Sequence, residues 1–203
     1  MLRGVNKRGQ LAVFIIIAIV IIGSLGAYFI FSGKFTPSGP SLEFKPIFDH
    51  YSDCVQSNVK AAIDLAGSQG GRVYLDNYIP GTEYAPFASQ LNFLGGPVPY
   101  WYYVSGNGVI KENVPIKKDI ENDIARYIEQ KIGECNFDSF YSAGFNIDFG
   151  EPKAKVTINE NSVDVVLSSK VAASKDGKSA VLNTHKVSVT SHLGKFYTLA
   201  KSI

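Results

Sequence analysis

Residues 11–31 run Leu-Ala-Val-Phe-Ile-Ile-Ile-Ala-Ile-Val-Ile-Ile-Gly-Ser-Leu-Gly-Ala-Tyr-Phe-Ile-Phe without a single charge. A stretch of roughly twenty apolar residues, rising about 1.5 Å each, spans a hydrocarbon core about 30 Å thick. A helix of a water-soluble core keeps polar residues on some face, and this one has almost none. The segment therefore predicts a transmembrane helix that partitions into lipid on its own apolarity. Arg3, Lys7 and Arg8 precede it, and Lys34 is the one cation close behind it. That asymmetry predicts a single-pass protein with a cytoplasmic N-terminus and an extracellular remainder. A cleaved secretory signal has a core of about 7–15 residues and a small-x-small cleavage site. Here the apolar run is longer and continues into Tyr28, Phe29, Ile30 and Phe31. The expected organisation is a basic leader (1–10), a transmembrane helix (11–31), a Pro/Gly tether (32–43) and an extracellular α+β domain (44–203). The first partner this implies is a lipid bilayer.

The junction Lys7-Arg8-Gly9-Gln10-Leu11 resembles the class III signal of archaeal type IV pilin-like proteins. In that family a prepilin peptidase cuts after a small residue that follows a basic pair, and the apolar helix stays on the mature chain. The resemblance implies cleavage between Gly9 and Gln10, with Gln10 as the new N-terminus. Removing the basic head would delete the charges that hold the helix in place and let it pack among its own copies. Phe14 stands where bacterial-type pilins carry Glu. The stretch Ser32-Gly33-Lys34-Phe35-Thr36-Pro37-Ser38-Gly39-Pro40 breaks the helix instead of carrying it into the head domain. A tether of this composition holds a domain off a membrane.

Beyond the tether about 160 residues remain, enough for one domain with a sizeable core. All 18 acidic residues lie beyond residue 31, as do 17 of the 20 Lys and Arg, so this part carries a net charge of −1. It has no clustered basic run of the kind that marks a nucleic-acid surface. Two cysteines in an oxidising compartment predict one Cys54–Cys135 disulfide. A metal pair would need further ligands, and His50 alone sits at helical spacing from Cys54.

Lys45–Ala66 reads as an amphipathic helix, with Ile47, Tyr51, Cys54, Val55, Asn58, Ala62 and Leu65 on one face. Gly67–Gly71 reads as a turn rather than a phosphate loop, because the segment after it, Arg72–Leu75, reads as a strand instead of a helix. Residues 76–99 read as a long irregular loop. It ends in Tyr100-Trp101-Tyr102-Tyr103, which alternate faces if extended. These four form either a half-buried strand or an aromatic platform for a glycan or protein. Pro115–Ile132 reads as a second helix, with Ile116, Ile120, Ile124, Ile128 and Ile132 every four residues and its charged side solvated. A Cys54–Cys135 bridge would staple the two helices together.

From Phe145 the period becomes two. Phe145–Phe149, Lys153–Ile158, Val163–Leu167, Lys170–Ala173 and Val181–Val189 read as an antiparallel meander. Asp176-Gly177 is its clearest hairpin signal. His192–Ile203 returns to helical spacing through Leu193, Phe196 and Ala200. The expected fold class is α+β: two amphipathic helices packed on an antiparallel sheet, below a transmembrane helix.

No motif of a known active site stands out. His50, His185 and His192 lack the close spacing of a zinc helix, and there is no Gly-x-Ser-x-Gly elbow. Asp49 and Asp53 are explained by a solvated helix face, since Ca²⁺ wants six to eight oxygens. The expectation is a non-catalytic surface protein without a cofactor. It is either a pilin-like structural subunit or a tethered binding module that uses residues 76–103. Its partners would be its own copies or another surface protein.

Overall fold

The computed structural model describes residues 17–24, 42–75, 79 and 88–202. The chain divides into two units, residues 1–39 and 40–203. Within the first unit, residues 17–24 are helical and exposed. The rest of the expected span 11–31 lies outside the described residues, as do the leader with Gly9 and Gln10 and most of the tether. Among the described residues no helix is long and apolar enough to cross a membrane.

The second unit is α+β. Helix α1 (Lys45–Ser68) starts with Pro46 in its first turn, where a missing N–H costs nothing. It buries Ile47, Phe48, Tyr51, Val55, Val59, Ala62, Ile63 and Ala66. The stripe is rotated slightly from the expected one: Cys54, Asn58 and Leu65 sit half-buried at its margin. Helix α2 (Lys117–Lys131) buries Ile120, Ile124 and Ile128. Ile132 follows in a 3₁₀ turn and is also buried. Ile116 breaks the expected repeat, because it is the extended N-cap residue and points into solvent.

Two small hairpins come between these helices. Strands β1 (Gln90–Phe93) and β2 (Gly96–Pro99) pair antiparallel, so the second half of the expected loop 76–99 is regular structure. Strand β3 (Tyr102–Val104) pairs with β4 (Ile110–Glu112). The strand expected at Arg72–Leu75 does not form. That segment instead runs along α2, with Val73 N donating to Asp123 Oδ2 and the Tyr74 hydroxyl donating to Gln130 Oε1 at 2.7 Å.

The main sheet contains β5 (Asn146–Phe149), β6 (Lys153–Ile158), β7 (Ser162–Lys175) and β8 (Lys178–Thr190), all antiparallel. The two strands expected at 163–167 and 170–173 are one continuous strand, β7. Both β5 and β6 pair with the same edge of β7, at 171–174 and 163–168 respectively. They are two halves of one strand interrupted at Gly150–Pro152. Opposite the interruption β7 is irregular: Ser168 pairs with Thr184 but Val171 with Leu182, so two residues of β7 face one of β8. This bulge bends the sheet. Gly150 N donates to Lys170 O at 2.7 Å, and Ser169 Oγ donates to Gly150 O at 3.2 Å, which ties the interruption to the bulge.

Both helices cover one face of the sheet, α2 over β6 and α1 over β8. The core between the layers holds the α1 and α2 stripes together with Val156, Ile158, Val163, Val165, Leu167, Val171 and Val189. A short helix α3 (Asp138–Ser142) and a final helix α4 (Leu193–Lys201) complete the unit. The expected apolar face of α4 is only half realised: Leu193 is buried, but Phe196 is exposed.

Candidate functional site

The aromatic run Tyr100–Tyr103 lies across the start of β3, and its side chains alternate as an extended chain requires. Tyr100 and Tyr102 are exposed, while Trp101 and Tyr103 are half-buried. Trp101 turns back toward the domain. Its indole N–H donates to Gly70 O at 2.8 Å, and its ring lies 6.5 Å from that of Tyr197 on α4. The loop that receives it depends on glycine. Gly71 has a φ of +91°, and a Cβ there would come within 3.1 Å of Pro115 and 3.3 Å of Ile120. Trp101 is therefore an anchor. The outward pair Tyr100 and Tyr102 is the part of the run open to a partner. On the neighbouring hairpin Phe93 and Leu94 are also exposed, Leu94 to 91%. Each of the two hairpins thus exposes apolar side chains of the kind found at recognition sites. Only the aromatic members stood out in the sequence, because Phe93 and Leu94 lie in what reads as a loop.

A second concave feature lies beside the cysteines. Cys54 on α1 and Cys135, just after the 3₁₀ turn, have Cα atoms 6.2 Å apart and sulfurs at disulfide distance. Next to them is a half-open cleft of about 200 Å³, lined by Tyr51, Cys135, Phe137, Phe149, Pro152 and Ser169 among others. Aromatic rings build its wall. Phe137 lies 5.0 Å from both Phe149 and His50, and Tyr51 stacks on Phe149 at 5.9 Å. His50 Nε2 is 2.8 Å from Asn136 O, which fixes the loop behind the wall.

Behind Tyr51 lies His185 of β8, 2% exposed, with ring centroids 4.5 Å apart. Neither His185 ring nitrogen has a hydrogen-bond partner of good geometry. Burial lowers the His185 pKa below its ordinary 6.5, and the nearby Ser169 backbone opposes this only in part. Burial also raises the Tyr51 pKa, against the effect of the Ser169 hydroxyl, so the phenol stays protonated. The sequence names these two residues but gives no sign that they meet, because they are 134 positions apart.

The carboxylates near the cleft are engaged structurally. Glu129 Oε1 accepts from Ala154 N at 2.7 Å, and Glu121 Oε1 accepts from Ile158 N at 3.0 Å. Two acids of the charged side of α2 thus cap the outer edge of β6, while Lys117, Lys118 and Arg126 on that side are exposed as expected. Asp49, on the exposed face of α1, pairs with Lys45. Among the described residues no group of three His, Cys, Asp or Glu is placed to hold a metal. No protein-family model, curated protein or solved structure matches the chain.

Proposed function

We propose that the chain is a non-catalytic cell-surface protein, anchored by an apolar N-terminal helix and built as a pilin-like subunit of a surface filament or pseudopilus. The observation that carries this reading is the Lys-Arg-Gly-Gln junction directly before an uncharged run of 21 residues. The basic head would hold Gly9 at the cytoplasmic face for a prepilin peptidase. The freed helix would then pack among copies of itself, helped by the small residues Gly23, Ser24, Gly26 and Ala27. A folded α+β unit behind the Pro/Gly stretch suits an extracellular head.

A second reading has its own support. The exposed Tyr100, Tyr102, Phe93 and Leu94 suit a membrane-tethered binding domain that contacts a glycan or another surface protein. One experiment separates the two: mass spectrometry of the N-terminal peptide of the protein isolated from its native membrane. A mature chain beginning at Gln10 is the expected result for a filament subunit. A chain that keeps Arg3, Lys7 and Arg8 overturns that reading and favours the permanently tethered domain.

A further inference from the structure

We propose that His185 is an acid-sensitive latch that holds α1 against β8, and that its protonation opens the cleft beside Cys135 while the rest of the domain stays folded.

The latch is a matter of placement. His185 pairs with Leu167 in the sheet and lies under α1, where Tyr51 covers it. Both ring nitrogens are buried without a good partner. A buried imidazole in this position is tolerated when neutral, and its cation would need water or a counter-charge. The titratable group packed against it from α1 is Tyr51, itself held neutral. From β7 it faces Leu167 and Ser169, and along β8 the adjacent Lys186 is exposed on the other sheet face. Among the described residues no carboxylate acts on it. Inside the fold the imidazolium therefore has only the Ser169 backbone to turn to, and that does not offset its burial.

Water has a short route inward. Tyr51 and Ser169 both touch His185 and line the cleft. Moving Tyr51 aside would hydrate the imidazole and enlarge the cleft in one step. Cys54 lies one helical turn beyond Tyr51 and is joined to Cys135. That link keeps α1 attached to the end of α2 when the Tyr51–His185 contact breaks, so the opening is local and reversible. The sheet is irregular beside it: β7 carries its bulge at Ser169, and β5 stops at Phe149 just before the interruption.

The sign follows from linkage. The closed form holds His185 neutral with a lowered pKa, whereas the open form titrates near 6.5. Above 6.5 the latch is intact. Below it the open form binds the proton and gains about tenfold in population per pH unit until the closed-form pKa is reached.

The test is hydrogen–deuterium exchange of the full chain in detergent micelles at pH 7.5 and 5.5, corrected for the intrinsic exchange rate. Peptides covering 47–55 and 180–189 are expected to lose protection at the lower pH, by up to about tenfold. Peptides covering α2 and β6 should keep theirs. His185→Phe, which keeps an aromatic ring against Tyr51, should abolish the difference. An equal loss in that variant, or a loss spread evenly over α2 and β6, overturns the proposal. Should His185→Phe not fold, an NMR titration of the wild-type imidazole decides, and a midpoint at or above 6.5 overturns the latch.

Discussion

Leu94 occupies a backbone position that suits asparagine better. It has a φ of +52°, and Gly95 after it has +85°, so the two form the tip of a type I′ hairpin between β1 and β2. A non-glycine residue pays about 1–2 kcal/mol for the left-handed region, and Asn tolerates it best. The Leu94 side chain is almost wholly exposed and offers no packing in return. Leu94→Asn is therefore expected to stabilise the domain by about 1 kcal/mol, read as a higher denaturant midpoint with an unchanged slope. The same turn geometry recurs at Asp176 and Gly177, with φ of +49° and +76°. There the sequence announces the hairpin, because Asp and Gly are the residues that relieve the strain. At Leu94 the strain is tolerated, so the hairpin cannot be read in advance. The exposed Leu94 at this tip is open to a partner, which fits the recognition reading.

At the level of elements, the pairing between α2 and β6 explains a feature the sequence concealed. Glu121 and Glu129 are eight residues apart, about 12 Å along a helix. Their partners Ile158 and Ala154 are four apart, about 13 Å along a strand. The spacings match, so two carboxylates cap two outward N–H groups of an edge strand. Uncapped edges invite pairing with other chains. The opposite edge, β8, is protected differently, by Lys178, Lys186 and the bulge across from it. Replacing both Glu121 and Glu129 with Ala is expected to cost about 1–3 kcal/mol in urea unfolding, since each leaves a backbone donor unpaired. The same variant should self-associate more readily in sedimentation. The isoleucine repeat that builds the inner face of α2 was legible because burial leaves a period. The role of the acids was not, because charge on a helix looks alike whether it meets water or a strand edge.

Across the whole molecule, the layer arrangement was legible, and of its long-range ties the cysteine pair was legible while the others were not. Two apolar helical periods and a later alternating stretch specify helices on an antiparallel sheet. The alternation of Tyr100–Tyr103 could likewise be read from their adjacency. The destination of the Trp101 indole could not, since its acceptor Gly70 sits 31 residues earlier in a loop shaped by two left-handed glycines. The link between Cys54 and Cys135 is a long-range tie that the sequence did predict, and it has a mechanical consequence. A domain hung from its N-terminal side is loaded through the start of α1. With the link intact, tension entering α1 passes at Cys54 directly to Cys135, 81 positions further on, and bypasses the chain between them. In a single-molecule pulling experiment, reduction should lengthen the full extension by roughly 270–290 Å, the contour of 81 residues. An unchanged contour length would mean that the two sulfurs do not carry the load. Until the link is reduced, the second helix and both small hairpins form a slack loop that force cannot reach.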